Sequence, residues 1–123
     1  MKLTKKTIGN EDVYFENGLK KYTYSIDSDG FEAWREYDKN NNEIHHKDSD
    51  GYETWSEYDS NDNLIHYKSS RGYESWREYD KNNNVINYKN SEGSETWSND
   101  NPKNPKNIEV EVDIEPFTFK KEK

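Results

Sequence analysis

Apolar residues are few in this chain, and they fall on a fixed beat. From Gly30 the stretch "FEAWREYD" alternates large apolar side chains with polar ones. A cluster of Asp and Asn follows ("DKNNN"), then a second short run ("EIHHK") and a closing "DSDG". Gly30, Gly51, Gly72 and Gly93 stand 21 residues apart, as do Trp34, Trp55, Trp76 and Trp97; Tyr37, Tyr58 and Tyr79; and Ile44, Ile65 and Ile86. The order within each unit is strand, hairpin turn, strand, turn, repeated three times with a truncated fourth copy. A helix would have to carry consecutive asparagines in its interior, whereas Asn and Asp suit tight turns and left-handed backbone. The pattern therefore predicts an all-β protein: an antiparallel meander of repeated hairpins forming a thin twisted sheet.

The ends read as caps on the array. Residues 1–29 contain a degenerate hairpin in "DVYFENGLKKYTYSIDSDG", with Asn17-Gly18 as its turn. Residues 30–98 hold the three full units and the partial fourth. Residues 99–107, with "NPKNPKN", are a loop, because proline removes ladder donors and Asn-Pro favours turns. In 108–123, "IEVEVDIE" alternates strictly, with Ile108, Val110, Val112 and Ile114 expected against the sheet, and is read as a C-terminal capping strand. Terminal repeats need such caps to protect an open edge.

Period-two alternation assigns side chains to faces. Glu53, Trp55 and Glu57 point one way, and Tyr52, Thr54, Ser56 and Tyr58 the other. With a loop over 59–63, Tyr58 pairs with Leu64 and Trp55 with Tyr67. That places Trp55, Ile65 and Tyr67 together, and Tyr58, Leu64, His66 and Lys68 opposite. A slip of one residue would exchange the two groups. Equivalent residues two strands apart lie about 9–10 Å from each other, so the tryptophans are expected to form a ladder with second-strand Ile and Tyr between them, as the core of a sheet too thin to have another.

These residues carry a resemblance. The glycine, the aromatic strand ending in Tyr-Asp, the polar turn, the aliphatic position and the return to Asp-x-Asp-Gly after 21 residues resemble the YD repeat of the RHS family, over roughly Asp27 to Ser98. More distantly, they are similar to hairpin repeats of the MORN type. The resemblance implies hairpin architecture rather than an activity. Long RHS arrays form a shell around a toxin domain, and three or four units are too short to enclose anything. Asn41, Asp62 and Asn83 stand where that family usually has the turn glycine, and Trp stands where its strand more often carries other residues.

Composition narrows the function. With 28% hydrophobic residues and a mean hydropathy of -1.55, the 123-residue chain lacks the aliphatic side chains of an ordinary two-layer core, yet its 15% aromatic content argues for order over disorder. Absence of cysteine excludes disulfides and thiolate chemistry. No stretch reads as a membrane span or signal peptide, so the expected location is cytoplasmic. The segment 22–100 has 8 Lys or Arg against 18 Asp or Glu, which makes the repeats the acidic part of a chain with a net charge of -8. That balance disfavours nucleic acid and anionic membranes as partners and favours a basic protein.

Chemical motifs are sparse. The turns beginning at Asp38, Asp59 and Asp80 match the opening of a calcium loop, but Glu43, Leu64 and Val85 replace its glycine, and Ser49, Ser70 and Ser91 replace its bidentate acid. His45, His46 and His66 do not make a convincing metal set, since Asn87 takes the equivalent place in the third unit. Acid–base catalysis would need a desolvated carboxyl in a pocket, and nothing resembles a nucleophilic triad or a phosphate loop, so no enzyme, cofactor or metal role is expected. Two functions remain. One is an inhibitor, an immunity protein that occludes a toxin, in particular a basic nuclease. Its partner-binding residues are Trp34, Glu36, Trp55, Glu57, Tyr67, Trp76 and Glu78, with tryptophans as anchors and glutamates to steer a cationic enzyme. The other is a structural spacer or orphaned segment of a larger RHS-like surface protein. The start at Met1 and the distinct capping strand favour the first.

Overall fold

A computed structural model describes residues 2–107. The strands are β1 (Thr4–Ile8), β2 (Glu11–Glu16), β3 (Leu19–Ile26), β4 (Glu32–Tyr37), β5 (Glu43–Asp48), β6 (Glu53–Tyr58), β7 (Leu64–Ser69), β8 (Glu74–Tyr79), β9 (Val85–Asn90) and β10 (Glu95–Trp97). They pair in chain order, all antiparallel, in one ten-stranded sheet that does not close on itself. The expected meander of hairpins is this fold. The only helical piece among the described residues is a single 3-10 turn, Pro105–Asn107, and no helix there is long and apolar enough to cross a membrane.

The same hairpin geometry is used at both ends of the sheet. At one end Asp38 opens a turn in which the Asn41 N–H reaches the Asp38 carbonyl and the Asp38 N–H reaches the Asn42 carbonyl. Its carboxylate accepts the N–H groups of Asn40 and Asn42, each at 2.9 Å. At the other end Asp48 does the same for Asp50 and Tyr52. Each turn needs one residue with left-handed backbone. Gly51 supplies it at φ 81°, and Asn41, Asp62 and Asn83 supply it at 69°, 66° and 66°. Asn and Asp are the non-glycine residues that bear this conformation at least cost, so the missing turn glycines leave the hairpins intact. The serines that stand in place of calcium-binding acids close each unit on itself. The Ser49, Ser70 and Ser91 hydroxyls accept the N–H of Glu32, Glu53 and Glu74, tying the end of each unit back to its own first strand.

One hairpin of each unit carries a β-bulge. Tyr58 pairs with Leu64 as expected, but Glu57 pairs with His66, leaving Ile65 as the extra residue. Ser56 then opposes Tyr67, and Trp55 opposes Lys68 rather than Tyr67. The same shift recurs between Glu36 and Tyr37 and between Glu78 and Tyr79. A one-residue shift moves every later side chain to the opposite face, so the expected grouping of Trp55 with Ile65 and Tyr67 is replaced by Trp55 with His66 and Lys68.

The tryptophans are not the core. Trp34, Trp55 and Trp76 are 40%, 39% and 39% exposed, whereas the residue before each, Ala33, Thr54 or Ser75, is 2%, 7% or 1% exposed. The reason lies on the second face, where rings lie across the sheet and need small neighbours beneath them. Tyr67 stands between Ser56 and Ser75, and its hydroxyl meets that of Tyr52 at 3.1 Å. Tyr73 and Tyr88 repeat the pairing at 2.7 Å. Val13 and Ala33 are the only buried apolar side chains among the described residues, so stability rests on cross-strand pairs and on coupling between neighbouring units.

At the N-terminal end the hairpin around Asn17-Gly18 forms as expected, with φ of 52° and 80°. The reading of residues 1–29 as a hairpin misses β1, a third strand exposed along its whole length that joins β2 through Gly9-Asn10. At the other end "NPKNPKN" is more regular than a loop. The N–H groups of Asn101, Asn104 and Asn107 bond to the carbonyls of Ser98, Asn101 and Asn104 in turn, and the side chains of Asn101 and Asn104 are buried. The capping strand read in 108–115 lies outside the described residues.

Candidate functional site

The bulges bring one pattern of side chains to the tryptophan face. Across the strands from β4 to β8 run Glu36, His45, Trp55, Lys68 and Glu74, each the cross-strand neighbour of the next. Two strands further on, the same rank is Glu57, His66, Trp76, Lys89 and Glu95. Nearer the N-terminus it is Asp12, Tyr24, Trp34, Lys47 and Glu53. Each tryptophan thus lies between a planar ring on one side and a lysine on the other.

The rings brace the indoles. His45 stacks on Trp55 at 5.6 Å and 15°, His66 on Trp76 at 5.6 Å and 14°, and Tyr24 leans on Trp34 at 5.5 Å and 41°. Each brace is anchored by a glutamate on the following strand. The Tyr24 hydroxyl donates to Glu32 at 2.6 Å, His45 Nε2–H to Glu53 at 2.5 Å and His66 Nε2–H to Glu74 at 2.6 Å. His66 also donates from Nδ1 to Glu57 at 2.9 Å. An imidazole donates from both nitrogens only as the cation, and these hydrogen bonds, that to Glu57 foremost and then that to Glu74, raise its pKa. The Tyr24 hydroxyl is likewise pushed up, first by its bond to Glu32.

Six of the seven residues expected to meet a partner, Trp34, Glu36, Trp55, Glu57, Trp76 and Glu78, share this face. Tyr67 stands on the other, paired with Tyr52, and that hydroxyl bond raises its pKa to about 12. The glutamates are not a bare acidic row. Lys21 lies 3.9 Å from Glu36, His66 2.9 Å from Glu57 and Lys103 3.3 Å from Glu78. Lysines alternate with them along the face. The sequence reading missed His45, His66 and the lysines as neighbours of the tryptophans. The trace it could have used is the adjacent apolar pair Leu64-Ile65, echoed by Val85-Ile86, which breaks period two where a bulge sits. Among the described residues no cluster of His, Asp and Glu is placed to hold a metal ion.

The face is shallow. Glu36, His45, Trp55 and Glu57 help line a hollow of about 510 Å³, and a groove of about 580 Å³ lies beside Trp34. Half-exposed indoles held at a repeated position by stacked rings, among alternating charges, form a surface suited to meeting another macromolecule. No known protein family matches the chain, and no curated protein matches it.

Proposed function

We propose that this protein is a protein-binding inhibitor that lays its tryptophan face over the active site of a basic enzyme, a bacterial toxin of nuclease type, and acts as its immunity protein. The observation that supports this most is the exposure of Trp34, Trp55 and Trp76, near 40% at three equivalent positions, on indoles that do not serve the core. A large ring already held in one orientation loses little entropy on binding, and tryptophans dominate the energetics of protein interfaces. The net charge of -8 adds long-range attraction for a cationic partner. The cations beside Glu36, Glu57 and Glu78 make these residues part of a mixed pattern of charge, suited to selecting one partner rather than any basic protein.

The test is to isolate the partner from the native host and measure its association with variants. Trp55→Ala with Trp76→Ala is expected to weaken affinity at least about tenfold. Glu36→Lys, Glu57→Lys and Glu78→Lys together are expected to slow association at low salt, with the difference shrinking as salt rises. Undiminished affinity in the double tryptophan variant would overturn the reading.

A further inference from the structure

The tryptophan face loses its regularity at its N-terminal end. Where later strands repeat His, Trp and Lys, β2 and β3 bring Tyr14, Tyr22 and Tyr24 beside Trp34. These four rings line the groove of about 580 Å³, with Glu32 and Glu36 at its side. The 21-residue pattern does not require three tyrosines here, so the groove is a departure from the repeat and not a consequence of it.

We infer that this groove is a binding site for a guanidinium group, an arginine side chain inserted by the partner. The inference rests on the protein-binding reading for where the arginine comes from, but not for the chemistry of the groove. Aromatic faces attract cations placed within about 6 Å, and the planar guanidinium stacks on rings while donating hydrogen bonds at its edge. Both kinds of contact are on offer. Four rings supply the faces, and the Glu32 and Glu36 carboxylates supply acceptors. Glu32 is held in place by the Tyr24 hydroxyl. Among the described residues Glu36 has only Lys21 as an ion-pair partner, at 3.9 Å, a loose contact that an arriving guanidinium can displace.

The sheet already favours this pairing. The Lys21 ammonium lies 5.8 Å from the Tyr22 ring at the edge of the groove. On the opposite face the sheet packs its own arginines on tyrosine: the Arg71 guanidinium is 4.7 Å from the Tyr52 ring and that of Arg77 is 4.8 Å from Tyr88. The basic side chains lining the groove are Arg35, Lys47 and His45. Arg35 is paired with Glu43 at 3.1 Å, Lys47 has Glu53 as its cross-strand neighbour, and His45 is hydrogen-bonded to that same Glu53, so each already has a carboxylate beside it.

The probe is Nα-acetyl-arginine amide, titrated into the isotope-labelled protein while the Trp34 indole N–H signal is followed by NMR. Its neutral isostere Nα-acetyl-citrulline amide and the uncharged sugar methyl glucoside serve as comparisons. The arginine probe is expected to shift Trp34 and its tyrosine neighbours saturably, with citrulline at least about fivefold weaker. Glu36→Gln, which leaves the rings in place, is expected to weaken arginine binding severalfold, and Trp34→Ala to remove it. Should Trp34→Ala disturb folding, Tyr22→Leu replaces it. Equal binding of citrulline and arginine, or tighter binding of methyl glucoside, would overturn the inference. If arginine binds here while the isolated partner ignores Trp55 and Trp76, the groove stands and the inhibitor reading fails. If the partner needs Trp55 and Trp76 but arginine binds no better than citrulline, the groove fails alone.

Discussion

Trp55 is stacked on His45 and yet 39% exposed, so its removal separates binding from stability. A fully buried Trp→Ala costs about 3–5 kcal/mol, and Trp55→Ala is expected to cost roughly half of that, measured by denaturant unfolding. Its neighbour rank offers a titration test. His66 is held as a cation by Glu57 and Glu74, so its folded pKa lies above the ordinary 6.5. A raised pKa stabilises the fold fully below the unfolded value, and that contribution is lost as pH rises through the folded value. Thermal stability of the native chain should therefore fall as pH rises above about 6.5 more steeply than that of His66→Asn. That variant copies the third unit, where Asn87 holds the same place and still reaches Glu95. Parallel pH profiles for the two proteins would show that His66 is not charged in this way.

At the scale of the hairpin, the turn residues set the geometry that the strands inherit. Asn41 has φ of 69°, where Ala is strained and Gly is not. Asn41→Ala is expected to lower stability by about 1 kcal/mol and Asn41→Gly to leave it unchanged or raise it slightly, as read from the unfolding midpoint. Asp59 and Asp80 open equivalent turns. The Asn63 and Asn84 N–H groups, foremost among several donors, hold their carboxyls below the usual range despite some burial. A depressed carboxyl stabilises the fold above its unfolded value of about 3.8, and the benefit is lost as pH falls through the lower folded value. Acid unfolding should thus begin at the turns, with Asp59→Asn reducing the loss of stability on acidification.

In the whole sheet, each unit touches only the units on either side, so the structure is close to one-dimensional. Deleting residues 51–71 joins Asp50 to Gly72, which continues the chain at the position Gly51 held. The Ser49-to-Glu32 and Ser91-to-Glu74 ties are both retained. The shortened chain is expected to fold as the same meander, with a β-type circular dichroism spectrum and a lower melting temperature. Loss of cooperative unfolding would mean that the units are not interchangeable. The deletion takes Trp55 with it but leaves the groove at Trp34, so it also separates the two binding surfaces.

The hairpin architecture was legible in the residues themselves. A 21-residue period, turn-forming Asp, Asn and Gly at fixed places and aromatic strands between them specify strand, turn and order locally, because each of these preferences acts within a few residues. The common face of the tryptophans and of Glu36, Glu57 and Glu78 follows from the same short-range alternation, for residues two apart on one strand always share a side. What crosses from one strand to the next was decided only in the folded sheet. A single extra residue at Ile65 exchanged Tyr67 for Lys68 opposite Trp55, and the register of the next ladder set His66 against Trp76. Alternation along one strand is blind to such a shift, since it is a relation between two strands. The core was decided in the same way. By size the tryptophans would be buried, but the buried positions fall on the second face, at Ala33, Thr54 and Ser75, where Tyr52 pairs with Tyr67 and Tyr73 with Tyr88, and the indoles stay at the surface.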